Sequence, residues 1–279
     1  MINTSTGKIA LFAALSLIVL QGFAADVLLF TYAYNRPDFI EIQYKTFKKF
    51  LKDDYEFIVF NDARDRGMEQ RINNTCKQFG IRCIRIPQEI HERPYLKRWP
   101  GESKQAPAVR NCNVVMYSLN EVGFKHDGIV ALFDSDLFLV RDFSISEYTK
   151  GYDLAGLPQP RPEITYLWIG LAFLDMRSMP NKTTIDFNCG RVGNQPVDAG
   201  GHTHYYLKNN PQLRVDFFDK NFMKGFHFID GQTRSVNLED GNVFLHYYAG
   251  TNWTNYAASY HNHKTIVLNQ FIDRILSDK

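Results

Sequence analysis

In the first half of the chain, continuous apolar runs of strand length alternate with segments of helical periodicity. Residues 27–31 form a run of strand length that ends in the polar turn Tyr32-Ala33-Tyr34-Asn35. Pro37 then stands where a first helical turn tolerates proline, and Asp38 and Glu41 suit the positive end of a helix dipole. Ile40, Tyr44, Phe47 and Leu51 follow on one helical face. Residues 57–60 predict a second strand closing at Asn61-Asp62. Met68, Ile72, Cys76 and Phe79 predict a second helix, stopped by Gly80. Residues 81–86 read as a third strand. Val109, Cys112, Val115, Met116 and Leu119 mark a third helix, and residues 128–133 a fourth strand. Apolar strands alternating with amphipathic helices predict a single α/β domain, Rossmann-like, with a mainly parallel central sheet and helices on both faces. Ligands of such sheets gather at the carboxyl ends of the strands. The polar residues after each strand therefore become the first places to look.

The second half is less regular. Residues 167–176, 213–218 and 242–248 read as strands and 203–207 as a short helix, while Gly, Asn and Pro crowd the region 180–201. That texture suits a binding half built on loops. It divides the domain into a regular half, 26–140, and a looser half, 141–279.

Residues 1–25 differ from the rest. Lys8 precedes an apolar run at 9–20, and the small residues Gly22 and Ala24 precede Ala25, the pattern of a secretory signal peptide. Phe23 and residues 27–30 lengthen the apolar stretch, so an uncleaved signal anchor is the alternative. The first case places the chain in the secretory pathway or outside the cell. The second adds membrane association, on the cytoplasmic face if the source is bacterial. A formal net charge of +2 over 279 residues excludes the basic surplus of a nucleic-acid binder. Aromatic content of 14% suits a sugar-handling cleft and an ordinary β-rich core alike. The four cysteines form no CxxC pair, which argues against a zinc ribbon. A Cys76–Cys83 bridge is within geometric reach, and buried free thiols are the alternative.

The sharpest local signal is Asp134-Ser135-Asp136, set between the apolar runs 130–133 and 137–140. Two carboxylates at the end of an apolar strand are costly unless something neutralises them. A divalent cation does so, and hard oxygen ligands select Mn²⁺ or Mg²⁺, which also bind diphosphate. His246, at the end of another apolar strand and before Gly250, is a candidate third ligand; a core histidine bonded to backbone is the alternative.

In this setting the Asp134-Ser135-Asp136 element, after three strand–helix units, resembles the DxD element of GT-A glycosyltransferases. The segment from Phe244 through His246, Gly250 and Trp253 resembles the late His-x-x-x-Gly segment of that family, whose histidine often completes the metal site. The resemblance follows the chain in order over most of residues 26–279 and is one of pattern.

It implies a metal-dependent transfer of a sugar from a nucleoside-diphosphate donor to a hydroxyl acceptor on a glycan, lipid or protein, with 26–140 the nucleotide-binding half and 141–279 the acceptor-binding half. Thr31, Tyr32, Asn35, Arg36, Asp62, Arg110 and Ser135 would stand on the donor side, with Asp62 at the base or ribose. Arg110 opens the third helix, where positive and amide groups favour phosphate; a surface salt bridge is its alternative role. Trp168, Gly200 and Trp253 would stand on the acceptor side, with Trp168 either a sugar platform or a core residue. Asp198 is the candidate general base, which favours inversion; capping the following helix is its other use. Two rival functions remain. A nucleotidyltransferase shares this sheet, but Tyr32-Ala33-Tyr34-Asn35 lacks the Gly- and basic-rich phosphate loop usual there. An exported carbohydrate-binding protein or pseudoenzyme would keep the fold without turnover.

Overall fold

A computed structural model describes residues 25–92, 106–226, 236–251 and 258–278. Residues 1–24 of the leader expected over 1–25, and Trp253, lie outside these residues. Among the described residues no helix is long and apolar enough to cross a membrane.

The elements run β1 (Val27–Ala33), α1 (Pro37–Phe50), β2 (Tyr55–Asn61), α2 (Arg66–Phe79), β3 (Arg82–Arg85), α3 (Pro107–Glu121), β4 (Ile129–Phe133) and β5 (Leu137–Leu139). They continue with α4 (Ile145–Tyr148), β6 (Leu154–Arg161), β7 (Ile164–Asp175), β8 (Gly190–Val192), β9 (Gln195–Val197), α5 (Thr203–Asn209), β10 (Val215–Phe217), β11 (Met223–Gly225), β12 (Phe244–His246) and α6 (Ala258–Ser277). A seven-stranded sheet has the order β10-β6-β7-β4-β1-β2-β3. Its β1, β2, β3 and β4 are mutually parallel, as is the β10–β6 pair, whereas β7 runs antiparallel to both β4 and β6. The domain is thus mixed α/β with a mainly parallel central sheet.

Strand alternation decides which helix covers which face. Leu28, Phe30 and Tyr32 of β1 join Val109, Cys112, Val115 and Leu119 of α3 in one cluster. Val27 and Leu29 point the other way, onto Ile40 and Phe47 of α1 and Ile72 and Cys76 of α2. Each fully buried aliphatic or aromatic side chain of this kind contributes about 1.5–3 kcal/mol. The second helix begins where the Asp65 carboxylate caps the Met68 N–H at 2.8 Å and ends at Gly80, whose φ of 67° is the left-handed geometry that suits glycine.

Beyond the unexpected strands β6, β8, β9 and β11, three departures from the sequence expectations shape the site. The segment expected as a strand over 242–248 is shorter and leaves the main sheet for a three-stranded one, β11-β12-β5. Helix α1 buries a second face, Phe39 and Ile42, so it is wedged between the two sheets instead of lying on one. The helix α6 was not expected; its Val267, Leu268, Phe271 and Ile272 close that second cluster against Phe138 and Leu245. All four cysteines are free thiols, with the Cys76 and Cys83 side chains in mutual hydrogen-bond contact.

At the far edge, Asp153 ties β6 to β10 by accepting the Arg214 N–H at 2.9 Å and its guanidinium. Hydrogen bonding from Arg214 holds the Asp153 carboxyl down at about 2. A depressed carboxylate stabilises the fold above its unfolded pKa of about 4 and loses that contribution as pH falls toward the folded value. The Arg214 end is solvent-exposed, so the expected loss in Asp153→Asn is only about 1 kcal/mol near neutral pH. Urea unfolding of both proteins should show that gap closing below about pH 4; a gap unchanged at acid pH would sink the assignment.

Candidate active site

The turn between β4 and β5 carries Asp134, Ser135 and Asp136. It is closed by the Leu137 N–H on the Asp134 carbonyl at 3.2 Å. The buried amide of Gln43, on α1, donates to the carbonyls of Asp134 at 2.9 Å and Leu137 at 3.0 Å, pinning the turn from below. Antiparallel pairing of β12 with β5 sets His246 opposite Leu137, one residue past Asp136. The Tyr247 N–H then reaches the Asp136 carbonyl at 2.9 Å. Register alone therefore brings the histidine to the acids.

The convergence expected from the sequence is present. One ligand atom each of Asp134, Asp136 and His246 lies within 4.8 Å of the others. His246 Nε2 is 3.2 Å from Asp136 Oδ1, and its buried Nδ1 has no hydrogen-bond partner among the described residues. Burial raises the Asp134 carboxyl, and the neighbouring Asp136 charge raises it further. Burial pushes Asp136 the same way, but the His246 charge and hydrogen bond, the Gly250 N–H and the Lys264 charge outweigh it, and the net shift is downward. Two acids and an imidazole, desolvated together and incompletely satisfied, fit a hard divalent cation such as Mn²⁺ or Mg²⁺.

After His246 the chain makes an uncommon turn. Tyr248 and Ala249 both have left-handed backbone, at φ 62° and 56°, a conformation that costs a non-glycine residue of order 1–3 kcal/mol. The turn delivers the Gly250 N–H to Asp136 Oδ2 at 2.9 Å. Lys264 of α6, buried, donates to the carbonyls of Tyr247 and Tyr248. Burial pulls its amine down to about 8, against the attraction of Asp136 and with the repulsion of Arg36.

A cleft of about 460 Å³ opens beside the acids at the carboxyl ends of β1 and β4, the size of a small-molecule site. Tyr32, Asp62, Arg110, Asp134, Ser135, Trp168 and Asp198 all line it. Tyr32 is fixed by its hydroxyl to Ser118 at 3.0 Å. Asp198 is exposed on the wall, and its Oδ1 takes the Ala199 N–H at 2.7 Å. It does not cap α5, whose N-cap position is His202. Trp168 packs on both central clusters and lies 5.0 Å, ring to ring, from His246, so it is core and cleft wall at once.

Asp62 and Arg110 meet the cleft as a pair. Arg110 donates to Asp62 Oδ2 at 2.6 Å, while Oδ1 receives His91 Nε2 at 2.8 Å and Gln88 at 3.1 Å. Both oxygens are engaged, so Arg110 is no surface salt bridge and Asp62 no free acid. The partners His91 and Gln88 carried no sequence signal.

Four expected contacts are placed elsewhere. Thr31 is fully buried within β1 and does not line the cleft. Asn35 and Arg36 hold the late turn: Asn35 donates to the Thr251 carbonyl, and Arg36 to Asp38, to Thr265 at 2.9 Å and to the Gly250 carbonyl at 3.2 Å. Gly200 is buried at φ 91°, where a Cβ would stand 1.9 Å from the Leu167 carbonyl oxygen. It serves a close backbone crossing. Gln43 and Lys264, which sequence reasoning missed, sit on helix faces that periodicity marks only as polar interruptions.

Gly250 gives the site a direct test. A Cβ there would lie 2.6 Å from both the Asp136 Cβ and the Phe39 ring. Gly250→Ala is expected to lower unfolding free energy by about 1–3 kcal/mol, read by urea denaturation. An unchanged midpoint would show that the turn does not approach Asp136 this closely.

No family model matches the chain, and no curated protein does. Among solved structures it is similar to the galactosyltransferase LgtC in complex with donor and acceptor sugar analogues. The TM-score is 0.47 at 11% identity, over 87% of this chain and 95% of that one. It is also similar to the mannosyltransferase PcManGT from Pyrobaculum calidifontis in complex with GDP-Man and Mn²⁺, at TM-score 0.42 and 13% identity, over 71% and 56% of the chains. The apo-form glycosyltransferase GlyE of Streptococcus pneumoniae TIGR4 aligns at TM-score 0.45 and 12% identity, over 91% and 64%. Likenesses this distant decide nothing about chemistry, and the site is interpreted from its own atoms.

Proposed function

We propose that this chain is a glycosyltransferase of the GT-A type, moving a sugar from a nucleoside-diphosphate donor to a hydroxyl acceptor on a glycan, lipid or protein. One observation carries the proposal: Asp134, Asp136 and His246 converge within 4.8 Å beside a cleft of about 460 Å³. In this reading those three side chains hold Mn²⁺ or Mg²⁺. A divalent cation there neutralises the diphosphate and stabilises the charge that builds on the departing nucleotide.

The remaining roles belong to the protein. Tyr32, Ser135 and the neutralised Asp62–Arg110 pair shape the donor side. Trp168 offers an apolar face to a sugar ring. Asp198, held by the Ala199 N–H, accepts the proton of the acceptor hydroxyl as it attacks the anomeric carbon. An available base on the acceptor side favours inversion. The leader would bring the domain into the secretory pathway or out of the cell, or anchor it at a membrane.

Release of nucleoside diphosphate across a donor panel, with Mn²⁺ or Mg²⁺ and with chelator, tests the proposal. Turnover is expected with metal and not with chelator. Asp134→Asn and Asp136→Asn should each lower kcat by about 10²-fold or more, and Asp198→Asn by about 10²–10⁴-fold. Turnover with full activity in chelator would overturn the metal role. Glycan binding without turnover on any donor would make the chain a carbohydrate-binding protein, and pyrophosphate release a nucleotidyltransferase.

A further inference from the structure

The late turn is clamped from two sides. On one side the Tyr247 N–H and the Gly250 N–H both bond to Asp136, at 2.9 Å each. On the other, the amine of Lys264 bonds to the Tyr247 carbonyl and, at 3.2 Å, to the Tyr248 carbonyl. Lys264 is 1% exposed and lies 4.1 Å above the Tyr247 ring, so its charge is held by carbonyls and an aromatic face rather than by water. Between the clamps stand Tyr248 and Ala249, both at positive φ.

Neither residue keeps that backbone by preference, because its Cβ crowds the neighbouring peptide. Something outside the segment has to hold it. The two carbonyls Lys264 binds belong to adjacent peptides leading into the left-handed stretch, and a single ammonium with three donors can fix both at once. If they relaxed, His246 and Gly250, on either side of the stretch, would no longer both face Asp136.

We propose that Lys264 is a positioning residue of the metal centre, locking the left-handed turn that keeps His246 and Gly250 against Asp136. The proposal rests on the metal reading of Asp134, Asp136 and His246. It adds a residue 18 positions beyond His246, on a helix that does not line the cleft.

Mn²⁺ affinity of the full chain, measured by calorimetry without donor, separates the possibilities. Lys264→Met keeps the stem and removes the ammonium; about tenfold or greater weakening is expected, the scale of lost support behind metal ligands. Ala249→Gly, which accepts positive φ freely, should recover about threefold or more of that loss in the Lys264→Met background. A packing role for Lys264 predicts no such rescue. Lys264→Met binding within about twofold of the parent, or a loss that Ala249→Gly leaves untouched, would overturn the proposal. Should Lys264→Met fail to fold, Lys264→Gln is measured in its place against the same two outcomes. A parent chain that binds no Mn²⁺ would sink the metal reading itself, and this role with it.

Discussion

Two carboxylates share one desolvated turn, and the surrounding structure is arranged to make that tolerable. At about 4 Å and an effective dielectric near 20, their repulsion is about 4 kcal/mol, a large part of a domain's total stability of about 5–15 kcal/mol. Asp136 is compensated by His246 and the Gly250 N–H. Among the described residues the Asp134 carboxylate accepts only the Ser135 N–H, at 2.8 Å, and it remains the raised member of the pair. Such a pair is stable in two ways: a proton on Asp134, or a cation between the two. The cleft opening at Asp134 leaves room for the second.

The fold supplies that turn with supports from both sheets. The main sheet ends β1 and β4 together, which sets the floor of the cleft. The smaller sheet brings β12 beside β5, which sets His246. Helix α1 lies between them with Gln43 under the turn, and it can do so because Phe39 and Ile42 bury a second face. The strain at Tyr248 and Ala249 is therefore stored where three elements over-determine it, the circumstance in which such strain persists.

Much of this was legible along the chain. The continuous apolar strands and 3–4-spaced helices of residues 27–133 stand as expected, because the sheet is buried on both faces and each helix turns its apolar side onto it. The Asp134-Ser135-Asp136 element was readable because charge at the end of an apolar strand demands a physical reason. His246 was readable as a candidate ligand at the end of an apolar strand and through the resemblance; its placement depends on a β5–β12 pairing more than 100 positions apart, which no local pattern encodes. Arg36 and Asn35 were ambiguous, because a polar turn after a first strand suits a ligand and suits another segment of chain equally. Here the other segment, residues 250–251, arrives first. Trp253 and the leader fall outside the described residues.

The cleft holds its charges in two different states, and the difference bears on how a donor would lie. Around Asp62 every charge is cancelled: Arg110 covers one oxygen, His91 and Gln88 the other. A buried pair so closed exerts little pull on a ligand's charge, since its field is spent internally. Around Asp134 the balance is unfinished. An anionic ligand alone would be repelled there, and a cation alone would leave the cleft's length unused. Diphosphate chelated to a divalent ion answers both: its charge sits at the unfinished end, and its neutral nucleoside lies along Tyr32 and the closed pair. Under the proposed function the donor's direction thus follows from electrostatics before any base-specific contact is made, and Asp198, exposed on the cleft wall, is available to the acceptor.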